Sequence, residues 1–468
     1  MTMLIIRSPQ SREPERRYIY RVVFEEFLGL PYEVQFENRP DIRIEMAANT
    51  GAITLADVFL GSDEASWLQP SSMPVLPLDR VDQGHSDKEK LPVLYGQRDS
   101  STGTYIRETD RDVYCGIDLF GGAFFMLTRY EEIVNDERGR HDRFEAQQSI
   151  ASKADFLDRP IVNEYVELLW SWLHGLWPAL ARKQRETRLI VSHDVDFPFY
   201  SSRRSLFSIA KESIADVIRR SSPATGLKKA RMLWNRSKTA HDPFNTFEWL
   251  MDISEQAGIR SAFYFICEDT GAKLDGNYSI YEDRIQQLMR DMHKRGHEIG
   301  LHPTIDTYMD RDRIRFQFNE LLKAASANDI HQQAWGGRQH YLKWKAPFTW
   351  QHWEDAGLQY DSTLSYADRV GFRCGTCYEY PVFNVLTRTP LKLRERPLIV
   401  MEQSILDKAY MAMDNNQIFD FIASYYDRCK EFNGDFTLLW HNSQLMKPFE
   451  RFVYRQVVEY HTANSGRR

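Results

Sequence analysis

The chain is poor in the features of secreted and membrane-spanning proteins. Five cysteines in 468 residues, an odd number, make no disulfide framework. No run of about 18 apolar residues occurs, so no segment reads as a membrane span. The opening MTMLIIRSPQSREPERR has an apolar stretch too short for a signal-peptide core and no small-residue cleavage site. Positive charge is not in excess: 60 Lys and Arg face 66 Asp and Glu, and the net charge of −6 gives no general pull toward nucleic acid. A cytoplasmic protein with no nucleic-acid partner is expected. Core-forming material is plentiful, at 42% hydrophobic and 13% aromatic residues, and the length suits two or three domains.

Residues 1–183 read as a smaller α/β domain. YIYRVVFEEFLGLPYEVQF predicts a helix, a Gly stop and a strand, and short strands are expected at ITLADVFL and LPVLYG. Aromatic helices are expected at FGGAFFMLTRYEEIV and VNEYVELLWSWLHGLW. No nucleophile motif, phosphate loop or metal spacing occurs here, which suits a scaffolding or recognition role. The polar stretch ARKQRETR marks a boundary.

Residues 188–462 follow another pattern. Helical segments end in Gly258, Gly296, Gly357 and Gly434, where a residue at positive φ is needed, and a short apolar strand follows each. LIVSHD, SAFYFI, HEIGLH, QAWGG, LQYDS, LIVMEQS and FTLLWH make seven strands. Seven βα units favour a (β/α)7 barrel, with its site at the C-terminal strand ends. The strand ends carry Asp194 and Asp196, His302, Arg338 and His340, Asp361, Glu402 and His441. A basic helical insertion at about 200–243 interrupts the repeat. It reads either as a solvated insertion or as a docking face for an anionic lipid surface or phosphorylated substrate, with peripheral contact at the inner membrane surface.

Side chains alternate along a strand, so in SHDVD the carboxylates of Asp194 and Asp196 share one side and His193 takes the other. Two unpaired carboxylates would repel, and a bound cation relieves that: one ligates it and the other stays free as a base. In GHEIGLHPTIDTY, His302 faces the mouth when His297 faces the helices. Pro303 predicts a helix start, which would bring Asp306 to His302 four residues away. Asp196, His302 and Asp306 would then form an open three-ligand site that lowers the pKa of bound water. The other reading of Asp306 is a helix-start carboxylate without a metal. Arg338 would orient a carboxylate through its planar fork or form an ordinary ion pair. His441 is a hydrogen-bonded core residue or a general acid. Cys374 and Cys377 form a lone CxxC, and packing is their expected role.

These motifs resemble those of the polysaccharide deacetylases, carbohydrate esterase family 4, with their NodB homology domain. The resemblance covers about 188–445 and implies a distorted barrel of about seven strands. It implies hydrolysis of acetyl groups on glycans with a divalent metal. Asp194 matches the family's base, Asp196 its first metal ligand, His302 the next, Arg338 the arginine of the third motif and His441 the acid that protonates the leaving amine. Asp306 stands where the family has a second histidine. A carboxylate there tilts the expected metal from Zn²⁺ toward Mn²⁺ or Mg²⁺. Asp361 is expected to partner Arg338, and Trp335, His340, Tyr341 and Trp440 to contact substrate. The resemblance implies an acetylated glycan or lipid-linked sugar substrate in bacterial surface-polysaccharide biosynthesis. One alternative is a metal-free, non-catalytic glycan-binding or assembly protein on the same scaffold; the other is a barrel hydrolase acting on C–N bonds of small molecules.

Overall fold

The computed structural model describes residues 3–47, 50–82, 89–200, 242–271, 274–276 and 278–465. The insertion expected at about 200–243 lies, save for its ends, outside the described residues. Among the described residues no helix is long and apolar enough to cross a membrane.

The first sheet is built from strands β1 (Leu4–Pro9), β2 (Tyr32–Glu37), β3 (Asp41–Met46), β4 (Ala52–Ala56), β7 (Ile106–Glu108) and β8 (Asp112–Cys115). Two further strands, β5 (Arg80–Val81) and β6 (Leu91–Pro92), pair with each other. The six-stranded order is β2-β1-β3-β4-β8-β7. The apolar stretch of the N-terminus supplies β1, which pairs parallel to β2 and antiparallel to β3. Leu4 and Ile6 alternate into the core there. The expected helix runs over Glu13–Tyr20, continues as a π-helical turn over Arg21–Leu28, and stops at Gly29 with φ +67°. Asp118 caps the helix Leu119–Leu127 by accepting the Gly121 N–H at 2.8 Å. Its other oxygen accepts from the Val58 and Phe59 N–H groups, which ties helix to loop.

The second sheet has nine strands. They are β9 (Arg188–Val195), β10 (Ala262–Phe265), β11 (Glu298–Leu301), β12 (Gly336–Gly337), β13 (Tyr360–Asp361), β14 (Tyr380–Asn384), β15 (Thr389–Glu395), β16 (Val400–Met401) and β17 (Asp435–Leu439). All seven expected strands are present. The hairpin β14–β15 is additional, and it alters the order, which runs β14-β15-β13-β12-β11-β10-β9-β17-β16. β15 takes the place beside β13, so β16 pairs with β17 alone among the described residues. All pairings are parallel except that of the hairpin. Helices Phe247–Gln256, Asp283–Lys294, Arg311–Ser326, Phe348–Ala356 and Ile418–Glu431 alternate with the strands.

This sheet curls strongly. β12 lies three places from β9, about 14 Å away in a flat sheet. Yet Arg338, just past β12, reaches Asp194 on β9 at 2.8 Å. Gly258, Gly296 and Gly357 have φ of +70°, +78° and +94°, as the helix ends require. Gly434 differs: Asn433, at φ +50°, takes the left-handed position one residue earlier. A Cβ on Gly434 would strike Cys377 Sγ, so close packing explains that glycine.

One buried core runs through both sheets. The hairpin is where the N-terminal region docks. Tyr18 Oη donates to the Pro381 carbonyl at 2.9 Å, Tyr380 Oη donates to the Leu127 carbonyl at 2.8 Å, and Glu15 pairs with Arg388 at 2.7 Å. Beside them Arg373 forks onto Glu132 at 2.9 and 2.6 Å, with both residues buried. The hairpin edge is thereby covered.

Candidate active site

Three imidazoles, two carboxylates and one guanidinium meet at the C-terminal ends of β9, β11, β12 and β17. The alternation argument holds on β9. Asp194 and Asp196 both line one cavity of about 460 Å³, whereas His193 points away and donates from Nδ1 to the Trp440 carbonyl at 2.6 Å. Burial holds the His193 imidazole down at about 3, so it is neutral. His297 also faces the helices, where its Nδ1 accepts the Ser261 N–H and its Nε2 lies 3.2 Å from Glu255.

His302 follows β11 and donates from Nδ1 to the Arg338 carbonyl at 2.6 Å. That bond fixes the tautomer and leaves the Nε2 lone pair facing the cavity. Nε2 lies 3.1 Å from Asp196 Oδ1 and 3.7 Å from Asp194 Oδ2. His340, in the turn after β12, is oriented through Nδ1 by Asp275 at 3.2 Å and brings Nε2 to 3.6 Å from Asp196 Oδ1. The donor atoms of Asp196, His302 and His340 all lie within 4.8 Å of one another. Burial disfavours charge on His340, but the Asp196 and Asp275 carboxylates outweigh it and raise the group to about 9. Burial likewise opposes ionised Asp196, yet His340 and His302 hold it well below the usual carboxylate range.

Asp194 and His441 flank this cluster, and each is held from behind. Arg338 is fully buried and donates to Asp194 Oδ1 at 2.8 Å, to the Ser362 carbonyl at 2.8 Å and to the Ser362 hydroxyl at 3.0 Å. His441 donates from Nδ1 to Glu402 Oε1 at 2.6 Å and presents Nε2 at 3.6 Å from Asp196 Oδ2. Burial lowers the affinity of His441 for a proton, but Glu402, then Asp196 and Asp194, raise it to about 10.

Four expectations from the sequence are corrected. Asp306 lies outside the cluster. No helix starts at Pro303; the chain turns through 310, and the next helix begins at Arg311, capped by Asp310. The Asp306 side chain is 75% exposed and sits 3.3 Å from Lys343 Nζ. His340 takes its place. Asp361 is buried and accepts from the Thr363 N–H and hydroxyl, so Ser362 rather than Asp361 orients Arg338. Burial raises Asp361 to about 7. Trp335 precedes β12, at the opposite rim, with its ring 6.4 Å from Phe318. Trp440 is buried against Tyr454 and donates to the Gln444 carbonyl. His340 and Tyr341 do line the cavity. Cys374 and Cys377 are buried free thiols, in keeping with packing.

Several residues of the site have no local signal in the sequence. Asp275 is far in sequence from the histidine it orients. Glu402 was visible as a strand-end carboxylate, but not as the partner of His441, 39 residues away. Arg140, His141 and Arg143, from the N-terminal region, line the cavity itself. Their charged run reads in sequence as a solvated surface.

Residues 4–178 match the model of a family of unknown function, DUF7033. No curated protein matches the chain significantly. Solved structures do. A protein described as a polysaccharide deacetylase from Mycobacterium smegmatis is 15% identical, with TM-score 0.40, over 60% of this chain and 86% of its own. One so described from Pseudomonas aeruginosa PAO1 is 14% identical, with TM-score 0.37, over 68% and 92%. Puue allantoinase is 12% identical, with TM-score 0.37, over 69% and 93%.

Proposed function

We propose that the chain is a metal-assisted hydrolase that removes an acetyl group from the nitrogen of an acetylated sugar, in the assembly of a bacterial surface polysaccharide. One observation carries the hydrolytic part: a compact Asp196–His302–His340 donor set lies between a carboxylate held by Arg338 and an imidazole held by Glu402. The sugar is inferred from the motifs SHDVD, GHEIGLH and FTLLWHN. We read the curled sheet as the distorted barrel that those motifs imply.

The donor set fits a divalent cation. Asp196 Oδ1 and His302 Nε2 are buried and make no hydrogen bond, although they lie 3.1 Å apart. Both histidines are oriented through Nδ1 by an oxygen behind them, as imidazole ligands commonly are. One carboxylate and two imidazoles suit Zn²⁺ or Co²⁺ better than Mg²⁺, so the tilt toward hard ions loses its basis along with Asp306. A cation there would supply Lewis acidity toward the acetyl oxygen and the attacking water.

The protein's own groups move the protons. Asp194, pinned by Arg338, accepts a proton from the water whose oxygen bonds to the acetyl carbon. His441, kept protonated by Glu402, donates a proton to the nitrogen as the C–N bond breaks, leaving acetate and an amine. The non-catalytic alternative loses its main support, because Asp306 is not the ligand that sequence spacing suggested. Acetate release from acetylated oligosaccharides, with Zn²⁺, Co²⁺, Mn²⁺ or Mg²⁺ supplied, tests the proposal. No release with any ion, from protein that has bound the ion, rejects catalysis on these sugars. Faster release from small amides than from acetylated sugars rejects the sugar assignment.

A further inference from the structure

We propose that the N-terminal region supplies one wall of the site, and that Arg140 on that wall selects a sugar bearing an anionic substituent, a carboxylate or a phosphate. The inference rests on the hydrolase reading above for its sugar, but on separate residues for its charge.

Residues 139–146 form a loop fixed to the nine-stranded half of the molecule. Arg143 is buried and donates to the Tyr341 carbonyl and to Tyr410 Oη, each at 3.0 Å. The Ala146 N–H points at both Asp368 oxygens, Tyr308 donates to Asp142, and the Gly139 N–H closes the loop on the Arg143 carbonyl. His141 and Asp142 are left-handed, at φ +59° and +56°. They meet a second left-handed pair, Tyr341 and Leu342, at φ +62° and +53°. The His141 and Tyr341 rings stand edge to face, 5.0 Å apart, at the cavity. Side chains seldom adopt such backbone, and it persists where the surroundings hold it. Here the two turns come from the two halves of the chain and set two rings where a sugar face can rest.

The charge balance gives the ligand class. Asp194 is paired by Arg338, Asp196 is surrounded by three histidines, and Arg143 is committed to two oxygens. The remaining carboxylate on the lining, Asp407, accepts the Ala409 N–H at 2.8 Å. Arg140 is exposed, lines the cavity, and has no side-chain partner among the described residues. The field it joins is positive: burial, then Arg143, Arg140 and Lys343, all lower His141. A free guanidinium at a cavity mouth attracts and forks onto an anion.

The test compares N-acetylglucosamine with its 1-phosphate and with its 3-lactyl ether, using the full-length protein and Arg140→Ala. For the wild type, kcat/KM for at least one charged sugar should exceed that for the neutral sugar about tenfold, chiefly through KM. Arg140→Ala should bring that ratio toward one, and Arg140→Lys should keep part of it. Which charged sugar gains tells phosphate from carboxylate. Acetate release with the same charged-to-neutral ratio in wild type and Arg140→Ala overturns the inference and leaves the hydrolase reading standing. If none of these monosaccharides releases acetate, the hydrolase reading stands or falls on the oligosaccharide assay above, and equilibrium dialysis of the same sugars decides the present inference. Tighter binding of a charged sugar, lost in Arg140→Ala, supports the anion-selecting wall; equal binding overturns it.

Discussion

Replacing Arg338 by Met tests whether Asp194 depends on its buried ion pair with Arg338. Met approximates the length of the arginine stem and carries no charge. Arg338 is fully buried and Asp194 is 3% exposed, so solvent can replace little of the lost interaction. Stranding a buried charge in this way costs about 3–5 kcal/mol. The two bonds to Ser362 add about 1 kcal/mol each. The decisive quantity is a double-mutant cycle with Asp194→Asn. In the wild-type background Asp194→Asn leaves Arg338 without its counter-charge and should destabilise by about 2–3 kcal/mol. In the Arg338→Met background it removes the stranded charge and should stabilise by about 1–2 kcal/mol. The Ser362 bonds are absent from both legs on the Met side and cancel. Urea unfolding of the four proteins at pH 7 measures the cycle. If Asp194→Asn destabilises equally in both backgrounds, the two groups are not coupled and the positioning argument for Asp194 fails.

Asp275→Asn should weaken cation binding about 10–100-fold, read by competition with a chelating dye, because it removes the carboxylate behind His340; Asp306→Ala should leave metal content at the wild-type level. Zn²⁺ should bind more tightly than Mg²⁺ in the same assay, and the reverse order would refute the Asp–His–His donor set. Acid should destabilise the fold through His193, whose folded value of about 3 lies below the unfolded 6.5. The unfolded chain then binds the extra proton, so stability is full above pH 6.5 and falls as pH drops toward 3, by about 2 kcal/mol at pH 5. His193→Gln should flatten that slope in urea titrations between pH 7 and 5. Gly434→Ala should cost about 1–3 kcal/mol by overpacking against Cys377, whereas Asn433→Gly should be tolerated or slightly stabilising.

The parts of this site that are legible in the sequence share one property: they depend on local periodicity. Alternation along β9 puts Asp194 and Asp196 on one side and His193 on the other. The same logic separates His302 from His297, and helix–Gly–strand punctuation finds seven strands. The expectation for Asp306 rests instead on a helix start at Pro303. Pro fits a turn equally well, and the capping carboxylate lies further on, at Asp310. The hairpin β14–β15 has no clear strand signal, because Pro381 and Pro390 interrupt its apolar pattern, and prolines mark a strand as an edge at most. Asp275, Glu402 and the loop around Arg140 act across tens to hundreds of residues, and no local pattern records such partners.

Register explains why His340 and not Asp306 joins the cluster. β11 and β12 pair in parallel with Leu301 opposite Gly337, so the next residues, His302 and Arg338, leave the sheet at the same level. Arg338 then does two jobs: its carbonyl orients His302, and its side chain crosses the curled sheet to Asp194. Two residues on, His340 brings its Nε2 to Asp196, and the left-handed turn at Tyr341 follows directly. The chain after His302 passes the other way, along a turn whose Thr304 N–H is fixed by Gln317, and Asp306 is carried out to Lys343. The turn next to His340 is the one that Arg143 holds through the Tyr341 carbonyl. The N-terminal region therefore bears on the donor set as well as on the cavity wall, and the site is a product of both halves of the chain.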